Sequence, residues 1–93
     1  MVRSFGSKHT QEIWDGNQVR SIPVDVQHVG RRKVRMINNA QSLQELRVPP
    51  SNRLEKLKGE RAGQFSIRVY RQWRICFRWT DGDAHDVELL DYH

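Results

Sequence analysis

Phe65-Ser66-Ile67-Arg68-Val69-Tyr70-Arg71-Gln72-Trp73-Arg74-Ile75-Cys76-Phe77-Arg78-Trp79-Thr80-Asp81-Gly82-Asp83 alternates apolar and polar residues through two runs. Phe65, Ile67 and Val69 interleave with Ser66, Arg68 and Tyr70; Trp73, Ile75, Phe77 and Trp79 interleave with Arg74, Cys76 and Arg78. A period of two sends successive side chains to opposite faces of a strand. Tyr70-Arg71-Gln72-Trp73 is then a tight connection, and Thr80-Asp81-Gly82-Asp83 carries the Asp-Gly step of a hairpin turn. Ala84 to Leu90, with Val87 and Leu89 apolar, continues as a third strand. The expected product is an antiparallel meander with one apolar face, its other face left open and bearing Arg68, Tyr70, Arg74 and Arg78.

The residues before the meander supply a lid for the apolar face. Val26, Val29, Val34, Ile37 and Ala40 recur at helical spacing, so Val24 to Ala40 reads as the main helix, weakened by Gly30. Thr10 to Trp14 makes one or two helical turns closed by Asp15-Gly16, and Val2 to Phe5 is a short first strand. Ser42-Leu43-Gln44-Glu45 has capping-box form and starts a short helix that Val48-Pro49-Pro50 ends. Gly59 and Gly63, flanking Glu60-Arg61, read as a turn. The fold class is α+β, a small antiparallel sheet with two to three helices on one face. One domain covers residues 1–93, with the N-terminal strand and helices in 1–47 and the sheet in 64–93.

The chain has 93 residues, a net charge of +5 and one cysteine. A lone Cys76 rules out an internal disulfide framework, and its mid-strand position suits a small buried residue better than a nucleophile. Trp73 and Trp79 share parity with Ile75 and Phe77 and read as core. No apolar run is long enough to span a membrane and no secretory leader is evident, so a cytoplasmic location is expected. Charge is unevenly spread. Residues 51–80 hold Arg53, Lys56, Lys58, Arg61, Arg68, Arg71, Arg74 and Arg78 against Glu55 and Glu60, whereas Asp81, Asp83, Asp86, Glu88 and Asp91 crowd the end. Such asymmetry points to an anionic partner, nucleic acid above all.

Long cations and an aromatic on one sheet face suit a single-stranded RNA backbone: arginine forks grip phosphate and aromatics stack on bases. Arg68, Tyr70, Arg71, Arg78 and Lys56 are the candidate RNA-binding residues. The chain then ends in Asp91-Tyr92-His93, three groups that can exchange protons or stack. Cleaving RNA without a metal requires a base for the 2′-hydroxyl, cations for the charged phosphorane, and an acid for the leaving 5′-oxygen. Asp91 and His93 suit base and acid in either order, Tyr92 can stack or hydrogen-bond, and Arg74, Arg68 and Lys58 are the charge stabilisers. Arg74→Ala is expected to lower cleavage sharply with little loss of fold. His9, His28, His85 and His93 have no metal-ligand spacing with Cys76, so no metal or other cofactor is expected. A basic RNA- or ribosome-binding module without catalysis would use the same face, as would a pure interaction protein.

Asn52-Arg53-Leu54-Glu55-Lys56-Leu57-Lys58-Gly59, Phe65-Ser66-Ile67-Arg68-Val69, Gln72-Trp73-Arg74-Ile75-Cys76-Phe77-Arg78-Trp79 and Asp91-Tyr92-His93 together resemble the HigB branch of the RelE toxin superfamily, also described as plasmid-maintenance killer proteins. The resemblance runs over essentially the whole chain. It implies the microbial ribonuclease-like toxin fold and metal-independent, ribosome-dependent cleavage of mRNA. The implied partner is a helix-turn-helix antitoxin, HigA, with operator DNA bound through that antitoxin. By motif match, Lys58, Arg74, Asp91, Tyr92 and His93 fall on functional positions of the family. Glu55 stands where some members carry a histidine, and Tyr70 where some carry an arginine.

Overall fold

The alternating runs form strands because each pairs its apolar members over a shared core. In the computed structural model, which describes residues 1–92, β2 (Phe65–Tyr70), β3 (Trp73–Thr80) and β4 (Asp83–Asp91) run antiparallel. Ile67, Ile75 and Leu89 stand opposite one another across these strands. With Phe77, Val87 and Ala84 they form the sheet's contribution to the core. Phe77 meets Trp79 edge-on, ring centroids 6.4 Å apart, so the tryptophans pack at the margin of the core.

Two helices cover that face. Helix α1 (Lys8–Trp14) buries Thr10 and Ile13, and α2 (Val24–Asn39) buries Val26, Val34 and Ile37. Ala40 caps α2 instead of extending it. Gly30 has a packing reason: a Cβ there would stand 3.1 Å from Leu89 Cδ2, so the glycine lets α2 settle onto β4. The loop between the helices closes on buried Gln27. Its amide donates to the carbonyls of Val19 and Ile22, and its Oε1 accepts from Val19 N at 2.9 Å. Glu45 Oε2 accepts from the Ser42 and Gln41 amides, and the helix that follows is a 3₁₀ turn, Leu43–Arg47. Among the described residues no helix is long and apolar enough to cross a membrane.

Four features depart from the sequence reading. Val2 to Phe5 is not a strand of the sheet; it makes two isolated parallel bridges, Val2 to Ala84 and Phe5 to Val87. The Cα alternation of β4 breaks at Asp86, whose φ of +53° marks a bulge that buries both Ala84 and Val87. An edge strand that the periodicity did not announce, β1 (Glu55–Lys56), pairs with β2, giving the order β1-β2-β3-β4. Two residues are too few to show alternation.

The fourth departure matters most. The second sheet face is not open. The β1–β2 connection, a 3₁₀ turn over Gly59–Arg61, folds across it. Arg61 reaches Glu88 of β4 at 3.5 Å, and a Cβ on Gly63 would lie 3.0 Å from Arg78 Nη1 of β3. Ser66, Cys76 and Arg74 are therefore buried. Burial raises the Cys76 thiol pKa, as fits an inert packed cysteine.

Candidate active site

The site is built at the turn between β2 and β3. Tyr70 and Trp73 pair directly across a two-residue connection, Arg71-Gln72, and Arg71 takes the positive φ (+54°) that so tight a turn demands. The register shifts between Arg68 and Tyr70, a bulge that adds local twist at this end of the hairpin. Below the bulge, Arg68 and Arg74 are directly opposite. Two like charges in such a pair repel, and the structure holds them apart by giving each its own acceptors. Arg68 Nε donates to the Arg71 carbonyl at 3.1 Å. Arg74 Nε donates to Ser66 Oγ at 2.8 Å, and its Nη2 donates to the Arg53 carbonyl at 2.7 Å.

Arg74 is thus a buried cation, 8% exposed, not a member of an open face. A long charged side chain reaches burial when backbone oxygens and a carboxylate receive it. The carboxylate is Glu55, whose Oε2 lies 3.8 Å from Arg74 Nη2. Among the described residues, Arg74 Nη1 has no hydrogen-bond partner within the chain.

A cavity of about 420 Å³ opens over this guanidinium, lined by Arg53, Glu55, Arg68, Arg71, Gln72, Arg74 and Tyr92. Among the described residues of its wall, four arginines face one carboxylate. None of Arg53, Arg68 and Arg71 forms an ion pair within 4 Å among the described residues. Tyr70, through its hydroxyl and its charge, and then Asp25 push the Arg71 pKa above its ordinary value. The guanidinium carbon stands 5.4 Å from the Tyr70 ring centroid, and Tyr70 itself is exposed. Of the hollows of similar volume along α2, one is walled by that helix alone and the other by the helix and Pro49. The cavity at the hairpin gathers β1, β2, β3, the turn and the chain end.

The chain end is tied to the turn. Asp91 pairs opposite Trp73, and the Tyr92 amide donates to the Gln72 carbonyl at 2.9 Å, bringing Tyr92 into the cavity wall. Asp91 does not line the cavity. Strand alternation puts it on the side of Trp73, whereas Leu90 shares the side of Arg74. His93 lies outside the described residues.

Of the sequence candidates, Arg68, Arg71, Arg74 and Tyr92 meet in one place. Arg78 does not join them. Four residues along β3 from Arg74, it is about 13 Å away and pairs with Asp86 at 3.5 Å. Tyr70 is not on the face of Arg68 and Arg74: the bulge after Arg68 pairs it with Trp73, on the opposite side of the sheet, beside Pro23, Asp25 and Val26. Lys56, in the edge strand, and Lys58, just after it, are exposed and outside the cavity wall. Arg53 and Gln72 line it and were not among the sequence candidates for the site; Glu55, which also lines it, entered only through the resemblance, as the residue standing where some members carry a histidine. All three lie within the Asn52-to-Gly59 and Gln72-to-Trp79 stretches, where periodicity does not rank them. Among the described residues, no group of three His, Cys, Asp or Glu side chains gathers that could hold a metal ion.

A family model described as the RelE-like toxin of type II toxin-antitoxin system HigB matches residues 3–93. The chain is 38% identical over 94 residues to Toxin HigB-1 of Vibrio cholerae, covering 100% of this chain and 98% of that protein. It is 33% identical over 94 residues to Endoribonuclease HigB of Proteus vulgaris, covering 100% of both. An uncharacterized protein of Haemophilus influenzae is 32% identical over 78 residues, or 84% of this chain and 76% of that protein.

Proposed function

Because the chain belongs to the HigB-like family of RelE-like toxins of type II toxin–antitoxin systems, we propose that this endoribonuclease toxin cuts ribosome-bound mRNA by metal-independent attack of a 2′-hydroxyl on the adjacent phosphate. The observation that carries the reading is Arg74: a buried guanidinium, fixed by Ser66 and Arg53, facing a cavity whose other cations form no ion pair within 4 Å among the described residues. Such a site suits a phosphate whose charge grows in the transition state.

In the reaction the 2′-oxygen bonds to phosphorus and the bond from phosphorus to the 5′-oxygen breaks. The products end in a 2′,3′-cyclic phosphate and a 5′-hydroxyl. Arg74 Nη1 and Arg68 bind the non-bridging oxygens, and Arg53 and Arg71 add charge. A base takes the 2′-hydroxyl proton. Glu55, the carboxylate in the cavity wall, is the base that the geometry favours. Asp91 and His93 supply and orient the proton returned to the 5′-oxygen. Tyr92 stacks on a neighbouring base or bonds a phosphate oxygen. Lys56 and Lys58 extend the path for the RNA strand. The cavity lies open at one end of the sheet, so alignment of the strand falls to the ribosome.

A type II toxin has a cognate antitoxin. The partner proposed is a helix-turn-helix protein of the HigA kind, through which the pair reaches operator DNA, and the pair works in the cytoplasm. The test is mRNA cleavage on programmed ribosomes by wild type and by an Asp91→Asn, His93→Gln double variant, with the new ends identified. Cleavage by wild type that needs ribosomes, leaves cyclic phosphate and is lost in the variant is the expected result. Ribosome binding with no cleavage by wild type would instead favour a non-catalytic RNA-binding module.

A further inference from the structure

Asn52 is 0% exposed, a rare situation for an amide side chain. Every polar atom of that side chain is engaged. Nδ2 donates to the Leu46 carbonyl at 3.1 Å, lies 3.5 Å from the Val48 carbonyl and touches Met36 sulfur at 3.2 Å. Oδ1 accepts from Lys33 Nζ of α2. The backbone is fixed as well, with the Asn52 amide donating to the Pro49 carbonyl at 2.9 Å and the Arg53 amide to the Pro50 carbonyl at 3.0 Å. A fully satisfied buried amide selects one geometry, because any rotation leaves a buried donor or acceptor unpaired.

The next residue shows what that geometry is for. Arg53 adopts φ +46°, ψ +58°, a left-handed conformation that a side-chain-bearing residue rarely takes. It swings the Arg53 carbonyl toward β2, where it accepts Arg74 Nη2 at 2.7 Å. Ser66, also 0% exposed, holds the other side of the same guanidinium through its Oγ and, at 3.4 Å, its carbonyl.

We propose that Asn52 is a positioning residue: anchored by Lys33, it sets the Arg53 corner whose carbonyl, with Ser66, aims the Arg74 guanidinium into the cavity. The inference rests on the reading of Arg74 as the phosphate-stabilising group. It links α2, on the far side of the core, to the reacting centre through Lys33, Asn52, the Arg53 carbonyl and Arg74. Phosphate stabilisation by an arginine depends on where its donors point, so loosening the corner lowers the chemical step more than ribosome binding.

The test has a spectroscopic arm and a kinetic arm. The Arg74 Nε–H resonance, assigned by its disappearance in Arg74→Lys, is followed for hydrogen exchange in wild type, Asn52→Ala and Lys33→Met. Asn52→Ala is expected to speed that exchange at least about tenfold while backbone amides of β3 and β4 keep their protection, with Lys33→Met smaller in the same direction. On programmed ribosomes, kcat falls on the order of tenfold to a hundredfold with KM within about twofold. The rate ratio between the two phosphorothioate diastereomers at the scissile position collapses toward one, which a simple loss of stability does not cause. Unchanged Nε–H exchange with wild-type kcat in Asn52→Ala overturns the proposal. Should Asn52→Ala fail to fold, wild-type exchange in Lys33→Met overturns it. If wild type itself cuts nothing, the catalytic reading fails, while the exchange arm still decides whether Asn52 positions Arg74.

Discussion

The two ends of β3 carry the same residue type and treat it in opposite ways. At the turn end, Arg74 is buried, bonded by Ser66 and Arg53, and surrounded by Arg53, Arg68 and Arg71 with one carboxylate at 3.8 Å. At the other end, Arg78 is exposed and matched to Asp86, Arg61 is matched to Glu88, and Arg3 and the N-terminal amine share Asp83. Where the fold needs only solubility, charges are paired. At the hairpin turn cations accumulate on one wall. That repulsion is offset in part by backbone and hydroxyl acceptors. Charge counts treat the two ends alike; pairing tells them apart.

The largest contrast should appear at Arg74. Arg74→Lys is expected to lower kcat on programmed ribosomes by about 10²- to 10³-fold, the scale of losing one transition-state donor. Arg74→Ala should also cost about 1–3 kcal/mol of stability in urea unfolding, because it leaves the buried Ser66 acceptors and the part-buried Arg53 carbonyl without their donor. This replaces the expectation that the fold would hardly notice. Next comes Glu55→Gln, expected to cost about a hundredfold in kcat on programmed ribosomes. A Glu55→Gln enzyme with wild-type rate, beside a dead Asp91→Asn, would transfer the base to Asp91. Arg68→Ala should cost about tenfold, as one charge-assisted contact, and should flatten the salt dependence of RNA binding by about one unit of slope.

At the paired end the effects should be small. Arg78→Ala is expected to leave cleavage within about twofold and stability within about 1 kcal/mol, as for an exposed ion pair. A large cleavage defect there would erase the distinction between the two ends. Asp83 provides the finest test. Its hydrogen bonds to Arg3 and the N-terminal amine lower its pKa below the ordinary aspartate value. A depressed folded-state pKa stabilises the fold above the unfolded value and loses that contribution as pH falls through the folded one. The stability difference between wild type and Asp83→Asn, read by thermal melting, should therefore be present at neutral pH and vanish in strong acid.

Much of the fold is legible in residues 65–90, because strand periodicity and two tight turns are local properties. The helical spacing of Val26, Val34 and Ile37 is equally local, and the lid falls where that spacing puts it. The site was half legible. Arg68, Arg71, Arg74 and Tyr92 are marked by type and parity. Arg53 and Glu55 are not, since a two-residue edge strand shows no period and a left-handed corner shows no composition signal.

Alternation assigned Arg74 to the correct face and the wrong environment. Which face a side chain occupies follows from the backbone's repeat, within reach of nearest neighbours along the chain. Whether that face meets water depends on what folds over it. Here the cover is the segment 53–64, brought back by pairing of Glu55 with Ser66 and pinned by Asn52 to Lys33 of α2. Amino-acid order alone specifies strands, turns, helices and an excess of cations. Long-range contacts turn one arginine into a buried, aimed guanidinium and leave another, four residues away, as a neutralised surface charge.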